Sequence, residues 1–170
     1  VGKRTRRMPR WAIAAAKPAE GFINTASPGT IALFQPNDFY PTQDAYLEAV
    51  AEGMRAEYEG LAQAGLLLQI DAPDLAMERT MTFQDQTDAQ FVKTCELHMA
   101  AINKAIEGIP PDRIRLHCCW GNWEGPHVHD IALAPILPVL YQARAGALTI
   151  EFANPRHQHE YDALRANPPP

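Results

Sequence analysis

The chain has 170 residues, 46% hydrophobic and 8% aromatic, which is enough apolar material for one globular domain with a buried core. Its formal charge of -5, from 15 basic and 20 acidic side chains, supplies no field to attract a polyanion, so nucleic acid and anionic membrane surfaces are excluded as expected partners. No apolar run reaches the roughly 20 residues of a membrane helix, and the opening stretch with Lys3, Arg4, Arg6 and Arg7 lacks the apolar segment of a signal peptide, so a cytoplasmic protein is expected.

In chain order, residues 1–24 read as a basic, helical lead-in, residues 25–160 as one structural unit, and residues 161–170 as a Pro-rich tail. After a turn at Ser27-Pro28-Gly29, the apolar run Thr30 to Phe34 is predicted as the first strand. Thr42 then caps a helix whose Leu47, Val50, Met54, Tyr58 and Leu61 recur at steps of three and four, and Gly65 ends it. Leu66 to Ile70, closed by Asp71, is a short run, apolar but for Gln69, of the kind found in a parallel strand buried on both faces. Thr87 and Gln90 form a capping-box pattern that opens a helix with Phe91, Cys95, Met99, Ile102 and Ile106 on one stripe, so Cys95 is assigned to the core. A strand from Ile114 to Cys118, a loop rich in Gly, Asn, Pro and His, a helix over 131–143 containing Pro135 and Pro138, and a strand from Ala147 to Phe152 complete the series.

Alternating strands and helices imply an α/β fold with parallel strands joined by right-handed crossovers. Four such units are half of a (β/α)8 TIM-type barrel, and the chain is shorter than the roughly 200–250 residues that a closed barrel takes, so part of a barrel is expected. The other half then comes from further sequence or from a second copy, since the open sheet edges of a partial barrel favour association.

Polar residues that matter in such folds cluster at the carboxyl ends of strands, where this chain places Asp71, then His117 and Cys119, then Glu151. His117 and Cys119 are two apart on a strand and share a face, while Cys118 points the other way into packing. An imidazole and a thiolate side by side are half of a tetrahedral zinc site, and Glu151, one crossover away, is placed to be a third ligand. The three cysteines, Cys95, Cys118 and Cys119, are an odd number and come without a secretory signal, which argues for reduced thiols rather than a disulfide framework. His127 and His129 form a second possible metal pair, or line the mouth of the barrel, or are simply exposed. His157 and His159 carry the same alternatives. His98 reads as a side chain beside the apolar helical stripe, and Trp120 and Trp123 as pocket walls or core.

The stretch from Arg113 through His117, Cys119 and Gly121-Asn122-Trp123-Glu124-Gly125-Pro126-His127 resembles the catalytic barrel of the cobalamin-independent methionine synthase family. Ile150-Glu151-Phe152-Ala153-Asn154-Pro155-Arg156 and Leu67-Leu68-Gln69-Ile70-Asp71-Ala72-Pro73-Asp74 extend the likeness, which is closer to the single-barrel homologues that include epoxyalkane:coenzyme M transferase. The resemblance implies Zn2+ held by His117, Cys119 and Glu151, and Asp71 matched to the acid that binds the amino group of homocysteine. It further implies methyl transfer from a folate-type donor to a thiol such as homocysteine, as in 5-methyltetrahydropteroyltriglutamate–homocysteine S-methyltransferases. Thiol alkylation of the coenzyme M type is the alternative, as is a non-catalytic half-barrel that binds or dimerises. The chain departs from the family at Ala72, where the motif has Glu, and no cysteine follows Cys119 to match the fourth zinc ligand. An internal piece of a longer barrel protein is therefore expected.

Overall fold

The computed structural model describes residues 13–122 and 124–170; the basic opening and Trp123 lie outside the described residues. Four strands, β1 (Phe22–Ala26), β2 (Leu67–Asp71), β3 (Ile114–Cys118) and β4 (Ala147–Ile150), form one all-parallel sheet in the order β1-β2-β3-β4. Between them lie α1 (Pro28–Phe34), α2 (Gln43–Gln63), α3 (Glu78–Met81), α4 (Asp88–Ala105) and α5 (Leu133–Leu140), and α6 (Tyr161–Ala166) follows β4. Strand order that follows chain order, with crossovers of one hand, puts the helices on a single face of the sheet.

The burial pattern agrees with that placement. In β3, Ile114, Leu116 and Cys118 are buried while Arg115 and His117 are half-buried. Leu68 and Ile70 of β2 join Leu116 and Cys118 in a core that contains Tyr58 of α2, Phe91, Cys95, Met99 and Ile102 of α4, and Leu133, Ile136 and Leu140 of α5. The other face carries Phe22, Asn24, Gln69, Asp71, Arg115 and His117, with the Arg115 guanidinium lying 4.3 Å over the Phe22 ring. The sequence reading of β2 as buried on both faces is therefore half met: Gln69 is buried, yet the helices cover the side of Leu68 and Ile70.

Two elements were read well from local chemistry. Thr42 caps α2 by accepting from Ala45 N–H, and Thr87 with Gln90 closes both halves of the capping box on α4. Tyr58, fully buried, sends its hydroxyl to the Ala26 carbonyl at 2.6 Å, tying α2 to the end of β1; burial pushes the phenol far above its ordinary pKa. Tyr58→Phe is expected to lower unfolding free energy by about 1 kcal/mol in urea denaturation, with an unchanged m-value, because it strands one carbonyl without disturbing packing.

The first strand is a correction. Thr30 to Phe34 is helical, and the strand is Phe22–Ala26, which crosses the boundary placed between residues 24 and 25. Ser27 is the N-cap of α1, its hydroxyl accepting from Thr30 N–H, with Pro28 in the first turn. That cap and a pre-set proline φ outweigh the strand preference of Thr30 and Ile31. The helix expected over 131–143 is the shorter α5: Ile131 gives its carbonyl to Trp120 Nε1–H, and Glu160 caps the helix start by accepting from Leu133 N–H at 3.0 Å. The last strand stops at Ile150 rather than Phe152, leaving Glu151 just past its end, and α6 occupies the start of the expected Pro-rich tail. No helix among the described residues is long and apolar enough to cross a membrane.

Candidate metal centre

The parallel register sets the site. Ala26 pairs with Asp71, Asp71 with His117, and His117 with Thr149, so the carboxyl ends of all four strands finish in one row. Paired residues on parallel strands point to the same face about 4.8 Å apart. Asp71 and His117 therefore meet on the face that the helices leave open. Their Oδ1 and Nδ1 are 2.5 Å apart, and the other ring nitrogen, Nε2, lies 3.2 Å from Glu151 Oε1. Asp71, His117 and Cys119 form a tight cluster in which each residue offers one ligand atom within 4.8 Å of the others. Glu151 joins that cluster through His117.

An imidazole between two carboxylates has a definite electrostatic requirement. A neutral His117 that donates Nδ1–H to Asp71 presents a lone pair on Nε2 to the Glu151 carboxylate. Two acceptors at 3.2 Å repel unless a proton or another cation lies between them. The Cys119 thiol points to the same need. Its pKa is raised, first by burial and further by the Glu151 and Asp71 carboxylates, against a backbone hydrogen bond at Gly121 that lowers it. Without a cation the thiol keeps its proton at neutral pH, and a divalent ion at this point would favour the thiolate and settle the carboxylates together. An imidazole, a thiol and a carboxylate are the donor types that zinc takes, so the residues present fit that ion.

Asp71 sets Oδ1 against a ring nitrogen of His117, and its side chain is 40% exposed. A carboxylate on the distal nitrogen fixes the tautomer and raises the basicity of the nitrogen that binds metal. Asp71→Asn is expected to weaken Zn2+ affinity about 10–100-fold, measured by competition with a chromophoric chelator.

The remaining sequence candidates fall as follows. Cys95 is buried in the core with its thiol on the Leu75 carbonyl, and Cys118 is buried on the face opposite His117. Trp120 is both core and wall: buried, bonded to Ile131, and lining a cavity of about 480 Å³ that it shares with Glu151, Asn154, Arg156 and His157. The His127 and His129 pair is not formed. A turn over Val128 and His129 leaves His129 exposed and brings His127 to Asp130, with Nδ1 2.9 Å from Oδ2. His157 is buried and bonds the same Asp130 oxygen, while the His159 side chain is 70% exposed.

Two groupings escaped the sequence reading. Asp130 is one, since its histidines are three and 27 residues away. The other is Asp74, fully buried, which accepts from Ser27 Oγ at 2.5 Å and Thr30 Oγ1 at 2.8 Å and contacts His98 Nδ1 at 2.8 Å. The capping serine and the placing of His98 beside the apolar stripe were the available signals; their convergence on one carboxylate needs the fold.

Comparison with protein-family models gives no match to this chain, and comparison with curated proteins gives none either.

Proposed function

We propose that this chain is the metal-bearing part of a (β/α)-barrel enzyme that activates a thiol on zinc and alkylates it, with methyl transfer from a folate-type donor as the reaction. The observation that carries the reading is the convergence of His117, Cys119 and Asp71, with Glu151 on His117 Nε2, at the carboxyl ends of adjacent parallel strands. Sequential strand order with helices on one face supports the barrel, because a doubly wound sheet reverses its order and covers both faces.

His117, Cys119 and Glu151 would hold the ion, and Asp71 would orient His117. When bound, zinc keeps a substrate thiol in its thiolate form at neutral pH. The cavity beside Glu151, walled by Trp120 and Asn154, is where that substrate would sit. Its sulfur lone pair forms the new S–C bond as the donor's C–N bond breaks, and the electron pair left on that nitrogen takes a proton. Trp120 and the buried strand ends keep water from one side of the reacting atoms. Arg156, exposed at the rim, is the cationic group lining this cavity and can meet an acid group on either substrate.

The test is direct coordination of thiol. Cobalt-substituted chain titrated with homocysteine is expected to gain thiolate-to-cobalt charge-transfer absorption beyond that of Cys119 itself, with one equivalent consumed. Intensity that does not change at saturating thiol rules out activation by coordination.

A further inference from the structure

We propose that His127, Asp130 and His157 form a second binding site, free of sulfur, for a divalent transition-metal ion. The three residues each offer one ligand atom within 4.8 Å of the others. Asp130 Oδ2 is 2.9 Å from His127 Nδ1 and 3.0 Å from His157 Nε2. Donor atoms bound side by side to one ion at about 2.1 Å each lie roughly 3.0–3.4 Å apart, close to the two Asp130 spacings, and the two imidazole nitrogens lie within 4.8 Å of each other.

The group is built to keep its shape. Thr80 donates to Asp130 Oδ1 at 2.6 Å, an oxygen that also lies 3.1 Å from His127 Nδ1, while Oδ2 faces both imidazoles. The His157 ring stacks on Trp120 with centroids 4.0 Å apart and planes 14° from parallel, and Asn154 Oδ1 accepts from the His157 backbone N–H. Supporting contacts of this kind orient the ligands of metal sites. The side chains of His127 and His157 are 2% and 6% exposed.

Nε2 of the His157 ring is aimed at Asp130, and the stacking on Trp120 holds it there. A cavity of about 350 Å³ borders all three residues and leaves room for water or an anionic ligand on the open side of the ion. Two imidazoles and a carboxylate without thiolate suit Zn2+, Co2+, Ni2+ or Fe2+ rather than Ca2+ or Mg2+.

The proposal stands independently of the His117 site, and cobalt separates the two. The full chain, stripped with chelator and titrated with Co2+, is expected to bind two equivalents, and only one of them should show thiolate-to-cobalt charge transfer. The His117→Ala, Cys119→Ala double variant should lose the charge-transfer band and keep one equivalent. In that variant the bound cobalt should shift the ring-proton NMR signals of two histidines far outside the diamagnetic range. Adding Asp130→Asn or His127→Ala to it should abolish the remaining equivalent. A double variant that binds no cobalt, or whose bound cobalt shifts no histidine pair, overturns the second site whether or not the further variants fold. Absence of the charge-transfer equivalent from the unaltered chain, with the other equivalent kept, would instead count against the thiol-activating centre.

Discussion

Asp74→Ala is expected to destabilise the protein by about 3–5 kcal/mol, because it removes one carboxylate shared by buried Ser27 and His98 and half-buried Thr30. Ser27, Thr30 and His98 all reach Asp74, which is fully buried between the end of β1, the 3-10 turn Pro73–Leu75 and α4. Without it, two hydroxyls and an imidazole nitrogen lose their partner in a place water does not easily fill. Gly29 gives an independent test of the same knot. A Cβ there would collide with the Asp74 carboxylate and come within 2.5 Å of His98 Nδ1, so Gly29→Ala forces the pair apart from the other side. Both variants should show a lower urea midpoint. Loss of less than about 1 kcal/mol in Asp74→Ala would mean that water or a rearranged His98 replaces the carboxylate. Because the knot sits beneath the strand ends, its failure should loosen Asp71, three residues before Asp74, and weaken metal binding as a secondary effect.

The second large effect is expected at His117. His117→Ala removes the residue that touches both Asp71 and Glu151, leaving two carboxylates and a raised-pKa thiol with nothing between them. Zinc affinity should fall by more than the about 10–100-fold predicted for the supporting residue Asp71, since a ligand is lost rather than an orienting contact. Fold stability without metal should change little, because His117 lies on the face that the helices do not cover. Uptake of zinc by the unaltered chain should also release a proton at neutral pH: Cys119 has a raised pKa in the folded protein, so it enters the site as a thiol and leaves its proton behind. Affinity should therefore rise with pH up to the Cys119 pKa and level off above it.

Much of this arrangement was legible before the fold was seen, where one local rule decided the outcome. The period-two spacing of His117 and Cys119 puts both together at the end of β3, and the strand-end rule adds Asp71 and Glu151, the last in contact with His117. The capping patterns at Thr42 and Thr87 placed the starts of two helices. Reading failed where two local signals competed. Thr30 to Phe34 has strand composition, but Ser27 and Pro28 start a helix, and a short apolar run does not by itself choose between the two. It failed again where distant side chains meet. Asp74 with Ser27, 47 residues earlier, and Asp130 with His157, 27 residues later, leave no periodic trace. Asp71 was read through a resemblance as a substrate contact. Its register opposite His117 brings the two side chains into contact, which spacing along the chain cannot reveal.

Zinc per chain, measured by elemental analysis on protein purified without added metal, is the most direct test of the central claim, set beside the His117→Ala, Cys119→Ala double variant. The account predicts zinc in the unaltered chain at one equivalent or more, with one equivalent missing from the folded double variant. Folded protein that takes up no zinc, or whose zinc content is the same in both, would contradict it.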